Sequence, residues 1–135
     1  MSGDQNLAFL RDIYAAWALG DFTRGDIFDP DVEFVTGGLE PRLLHGPEGV
    51  VEGWFDFLSA WKDFRVELRE IIPGAQPDSY VVYCHLSGRG KESGVPTESE
   101  TANTIWIRNG KIVRMELHWD RESALESAGL PGGAS

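Results

Sequence analysis

The chain has 135 residues, 41% of them hydrophobic and 11% aromatic, with five tryptophans. That is the size and composition of one globular domain around one core, and it excludes a disordered chain. A formal net charge of −10 argues against unspecific binding to nucleic acid or to an anionic membrane, since either needs a basic face.

Leu7, Leu10, Tyr14 and Trp17 recur at helical spacing and predict a first helix over residues 6–19. Residues 21–28 read as a second short helix that Pro30 ends. Val32 to Val35 reads as a short strand, and residues 38–46 as a loop carrying Glu40, Arg42 and His45. Gly46-Pro47-Glu48 opens a further helix, because proline costs nothing at the first helical position and an early glutamate suits the helix dipole. Val50, Trp54, Phe57, Leu58 and Trp61 continue it as one apolar stripe, either packed on a sheet or walling a pocket. Phe64 to Pro73 alternates as a strand until its parity shifts at Glu70-Ile71-Ile72, which predicts a bulge in a curved sheet. Tyr80 to Ser87 is apolar on both faces and reads as a central strand. Residues 88–96 form a glycine-rich, charged connection.

Residues 98–120 then read as a long hairpin about Asn109-Gly110, the pair that a type I′ turn favours. In the first arm Asn103, Ile105 and Ile107 share a face. In the second, Met115, Leu117 and Trp119 share one face, and Glu116, His118 and Asp120 the other. Residues 121–128 form a last short helix. Helices early and strands late imply an α+β architecture: a cone-shaped, curved antiparallel sheet with helices over its concave face. The N-terminus lacks a basic segment followed by an apolar run, and no apolar run reaches the ~20 residues that span a bilayer. A soluble, cytoplasmic protein is the expectation. Cys84, the single cysteine, reads as a buried thiol.

The segments AAWALGDF, FDPDVEFV, HGPEGV, GRGKESGV and IRNGKIVRMELHWDRESALESAGL resemble the SnoaL-like polyketide cyclase branch of the nuclear transport factor 2-like superfamily. The resemblance covers nearly the whole chain. It implies a ketosteroid-isomerase-like roll, a deep pocket and commonly a homodimer packed through the sheet's outer face. It does not fix a reaction, so function rests on the site. The steroid isomerases of this superfamily use an aspartate base and hold the enolate oxygen with a tyrosine and a protonated aspartate. Carried over, the base falls near Thr36, which cannot abstract a proton at neutral pH. The tyrosine falls at Ile13, one residue from Tyr14, and the oxyanion aspartate at Asn103, still a hydrogen-bond donor. The late-strand aspartate of the epoxide hydrolases falls at Leu117. Both of those mechanisms are disfavoured.

Ring closure of the SnoaL type, as the resemblance implies it, needs one carboxylate or histidine to remove a proton beside a carbonyl. Asp120 and His118 are the candidate catalytic bases, with Asn103 or Tyr83 as donors to the substrate oxygen. Tyr14, Trp17, Phe34, Trp54, Phe57 and Trp61 are candidate pocket walls, and His45 a candidate contact at the rim. Plainer readings stand beside these. Asp120 precedes a helix and suits its N-cap, His118 suits an interface, and His85 suits a satisfied strand histidine. The three histidines show no ligand spacing and GRGKESG opens no helix, so neither a metal nor another cofactor is expected. The expected function is binding of a small, largely apolar carbonyl-containing ligand in the cone, with or without cofactor-free proton transfer. A non-catalytic binding or interaction module is the alternative, and a subunit-assembly module with a filled core the third. The direction of the last strand's side chains decides whether His118 or Asp120 meets Asn103.

Overall fold

The computed structural model describes residues 3–19, 27–36, 42–50, 61–76, 78–118 and 120–130. Helix α1 (Gly3–Ala18) leads into strands β1 (Phe28–Val35) and β2 (Leu43–His45). Helix α2 follows, described over residues 46–50. Strands β3 (Trp61–Pro73), β4 (Ser79–Gly90), β5 (Pro96–Arg108) and β6 (Lys111–His118) come next, and then helix α3 (Arg121–Ser127). The six strands form one sheet in the order β2-β1-β6-β5-β4-β3. Every neighbouring pair is antiparallel except β1 and β6, which run parallel, so the sheet is mixed rather than purely antiparallel.

The hairpin forms as its sequence predicts. Asn109 and Gly110 take φ of 52° and 75°, the left-handed pair that lets two strands turn back without splaying. Register shifts between Leu68 and Glu70 and between Trp106 and Ile107 mark bulges, the first of them at the predicted parity shift. Each extra residue bends its strand, and together they curve the sheet.

The strands put alternate residues on two faces. On the inner face Val82, Cys84, Leu86, Ile105, Ile107, Ile112 and Met115 are buried against Leu10, Ile13, Tyr14 and Trp17 of α1. That helical set recurs at three- and four-residue spacing, one stripe facing the sheet. On the outer face a second, smaller cluster joins Val81 and Ala102 to Ala124 and Ala128 of the α3 segment. Small alanines let this helix lie close to the strands, and the Thr104 hydroxyl fastens it by donating to the Ala124 carbonyl at 3.0 Å. Thus α1 covers the concave side as expected, but α3 covers the opposite one. No described helix is long and apolar enough to cross a membrane.

Several boundaries differ from the sequence reading. Pro30 lies inside β1, not beyond a helix. The β1–β6 ladder is irregular between Phe28 and Glu33, so the missing proline N–H is tolerated there. His45 belongs to strand β2 rather than to a loop. Trp61 is not helical: it opens β3 opposite Gly90. The proposed helix over 21–28 falls largely outside the described residues, as does the continuation of α2 through Trp54 and Phe57. Trp119 lies outside them too.

Candidate functional site

Three inner-face side chains converge from three elements: Tyr14 of α1, Cys84 of β4 and Asn103 of β5. The Asn103 amide donates from Nδ2 to Tyr14 Oη at 2.9 Å, and more weakly to Cys84 Sγ at 3.7 Å. All three are at most 2% exposed. Burial pushes the Tyr14 hydroxyl well above its usual range and the Cys84 thiol up to about 12, so both are neutral at pH 7. The edge of Trp17 meets Tyr14 with ring centroids 4.8 Å apart, and Phe34 is buried in the same core. The Asn103 amide keeps one need unmet, because its Oδ1 is buried with no hydrogen-bond partner.

Thr101, two residues before Asn103 on β5, repeats this. It stands opposite Cys84 in the ladder, and its Oγ1 is also buried and unpartnered. Farther along the same face Ser99 stands opposite Leu86. There Trp61, Phe64, Leu86, Thr97 and Ser99 line a cavity of about 260 Å³. One strand face therefore runs from a buried, neutral polar cluster to an apolar opening. Cys84 is the buried thiol that the sequence predicts, but its place in this cluster was not foreseen, and Thr101 was missed. The signal for Thr101 was its shared parity with Asn103, whereas Cys84 needed the register of β4 on β5.

Tyr14, not Ile13, is the residue that reaches Asn103, so the carry-over from the steroid isomerases is one position out. The two are neighbours one helical step apart, and the packed helix decides which of them reaches β5. Both are buried in the core.

His118 and Asp120 stand elsewhere. His118 is opposite Ala102 and Glu116 opposite Thr104, both on the outer face. His118 Nε2 lies 3.2 Å from Glu116 Oε1, and Arg114 joins Glu116 at 2.8 Å and Glu33 at 3.2 Å. His45 lies 3.6 Å from Glu33 at the end of this charged row, on the outer side rather than at an inner rim. The hydrogen bond from His118, followed by Arg114, holds the Glu116 carboxyl below its usual range despite partial burial. Asp120 caps α3: its Oδ1 accepts the Ser123 N–H at 2.7 Å, and its Oδ2 accepts the Ser123 hydroxyl at 2.8 Å. The backbone bond first and the hydroxyl second lower its pKa, which favours an anion over a proton acceptor tuned for neutral pH. Tyr83 is also on the outer face, with the Arg121 guanidinium 4.5 Å over its ring. The structure thus brings Asn103 together with Tyr14 and Tyr83 together with Asp120, and the sheet lies between the two pairs.

A curved mixed sheet with one long helix across its concave face is the ketosteroid-isomerase-like fold. A structure of that fold from Catenulispora acidiphila, in complex with trimethylamine, matches with a TM-score of 0.67 at 18% identity, covering 94% of this chain and 96% of that one. A protein described as a SnoaL-like polyketide cyclase from Jannaschia matches at 0.72 and 13% identity, covering 95% and 94%. TerC, co-crystallized with polyporic acid, matches at 0.67 and 23% identity, covering 93% and 98%. The SnoaL-like domain model matches residues 10–115, and the chain belongs to that family. No curated protein matches it.

Proposed function

We propose that the chain binds a small, largely apolar carbonyl compound on the inner face of the cone, with Tyr14 and Asn103 as its polar contacts. The observation that carries this reading is the buried Tyr14–Asn103 pair with Asn103 Oδ1 left without a donor. An unpaired buried amide oxygen costs about 1–3 kcal/mol, which a ligand hydroxyl recovers. An enolisable ketone suits both groups: its enol O–H meets Oδ1, and its carbonyl form accepts from the Tyr14 hydroxyl. The apolar cavity beside Trp61 and Phe64 suits the hydrocarbon part. TerC, of the same fold, was co-crystallized with polyporic acid, and that agrees with an organic ligand here.

Binding without turnover is the better-supported form of this reading, because His118 and Asp120 face away from Asn103. The test uses 2-tetralone, an enolisable bicyclic ketone. Titration calorimetry is expected to show binding that weakens roughly tenfold in Tyr14→Phe and in Asn103→Leu, the scale of one buried hydrogen bond. Equal affinity in all three proteins overturns the assignment. Deuterium uptake at the carbon beside the carbonyl, followed by NMR in heavy water, separates the two forms. Uptake at the buffer rate means binding alone. Uptake accelerated by the wild type and lost in Tyr14→Phe means proton transfer.

A further inference from the structure

The outer face carries a second, larger cavity of about 550 Å³, separated by the sheet from the Tyr14–Asn103 pair. Arg69, Glu70, Tyr83, Glu100, Asp120 and Arg121 contribute its polar wall, and Ala102 lies on its floor. We propose that this cavity is a binding site for a small organic monocarboxylate, held by Arg69 and Arg121 and by the Tyr83 hydroxyl.

Two of the carboxylates around this cavity are already engaged. Glu100 accepts from His85 Nδ1 at 2.8 Å, and Glu98 lies 3.4 Å from the other nitrogen of the same ring. Both oxygens of Asp120 are occupied by Ser123, and His118 lies near enough to act on its charge. Among the described residues Arg69 and Arg121 form no ion pair, although three carboxylates line the same space. Arg121 instead lies over the Tyr83 ring with its Cζ 4.5 Å from the centroid, a cation–π contact that keeps the guanidinium beside the phenol. The Tyr83 hydroxyl oxygen is buried and has no hydrogen-bond partner. A buried hydroxyl in that state awaits an acceptor or a donor. The uncommitted groups are therefore two guanidiniums, one phenol and the exposed Glu70.

That set selects among anions. A carboxylate matches the fork of a guanidinium with two parallel bonds and can accept a third from the phenol. Glu70 and Asp120 at the wall disfavour a dianion by like-charge repulsion. The apolar side of Tyr83 and the Ala102 floor accommodate a hydrocarbon body. The volume lies within the range of small-molecule sites.

The probe is sodium benzoate, titrated into the uniformly ¹⁵N-labelled full chain at neutral pH and constant ionic strength. Saturable amide shifts are expected around Tyr83, Ala102 and Arg121, with a dissociation constant on the order of 1 mM, a scale typical of a fragment-sized ligand. Arg121→Gln is expected to weaken binding roughly tenfold, and Tyr83→Phe several-fold, as loss of a charged and a neutral hydrogen bond would. Arg69→Gln, at an exposed position, is a second variant that keeps the fold. Asn103→Leu is expected to leave the shifts unchanged. The proposal fails if Arg121→Gln and Arg69→Gln both bind benzoate like the wild type, or if inorganic phosphate binds as tightly. It also fails if the shifts fall on the inner face, or if they follow protein concentration instead of benzoate, which would put a second copy of the chain on this face.

Discussion

Replacing Asn103 by leucine is expected to make the unliganded protein more stable while weakening ligand binding. The wild-type amide makes one good bond, from Nδ2 to Tyr14 Oη at 2.9 Å, and leaves Oδ1 unpaired in the buried core. Losing the bond costs about 1 kcal/mol net, and removing the unpaired oxygen returns about 2 kcal/mol. Leucine keeps the branched heavy-atom shape of asparagine, and it places methyl groups beside Val82 and Leu117, the ladder neighbours of position 103. The Tyr14 hydroxyl still has the Cys84 sulfur. The sum favours the variant by about 1 kcal/mol, or roughly 3–5 °C in melting temperature for a chain of this size. Tyr14→Phe acts the other way, because it leaves the amide donor only its weak bond to Cys84 Sγ while the acceptor stays unpaired. It is expected to cost about 1–3 kcal/mol, and the double variant to recover most of that loss. Urea denaturation measures all four proteins, with an unchanged slope required for the comparison. If Asn103→Leu destabilises by about 2 kcal/mol or more, the amide is a structural member of the core. The argument that it is kept for a ligand then loses its basis.

Three further outcomes are expected. The hydrogen bond to Glu100 raises the His85 pKa, opposed by burial and supported by the weaker bond to Glu98. Its stabilising contribution is therefore complete below the unfolded value of about 6.5 and is lost as pH rises through the folded value. An NMR titration of the His85 ring should give a midpoint above 6.5, and a midpoint at or below the ordinary value would contradict the pairing. With its pKa near 12 and no exposure, Cys84 should ignore a disulfide reagent at pH 8 in the native protein and react once the chain is unfolded. Rapid native reaction would mean that the inner cluster opens. Thr104→Val removes the bonds to the Ala124 carbonyl and Ser127 hydroxyl. It should cost about 1–2 kcal/mol and speed amide exchange in residues 121–128, whereas unchanged exchange would show that α3 is held by its alanines alone.

The legible parts of the chain were those governed by local rules. Asn109-Gly110 dictated its turn through backbone sterics, and the shift at Glu70-Ile71-Ile72 announced a bulge because alternation has a strict period of two. The parity of Asn103 with Ile105 and Ile107 placed the amide on the inner face. What escaped was nonlocal. Nothing in the residues of β1 or β6 states that the two run side by side in parallel. Trp61 followed the helical spacing of Val50 and Phe57, yet it starts a strand, because an apolar residue satisfies either period at a boundary. The pairing of Tyr14 with Asn103 spans 89 positions, and only the packed helix reveals which of two neighbouring residues makes it. The family pattern named the fold but erred by one residue there. The side of the sheet taken by α3 was equally invisible, since a helix of seven residues that buries only Ala124 suits either face.

The parallel seam between β1 and β6 also orders events in time. Each of β3 to β6 meets its neighbour through a short turn, so that part of the sheet can zip up by successive hairpins. The seam is different: Glu33 and Arg114, which bond across it, are 81 positions apart. Closing so long a loop is entropically expensive, and such contacts form late. On a ribosome, β1 emerges early and, apart from its short pairing with β2, must wait for β6 until nearly the whole chain has followed it. Pulse-labelled amide exchange during refolding should therefore find β4 and β5 protected before β1. The two strands at the amino-terminal end act as the clasp that shuts the sheet last, and a defect there mainly speeds its reopening.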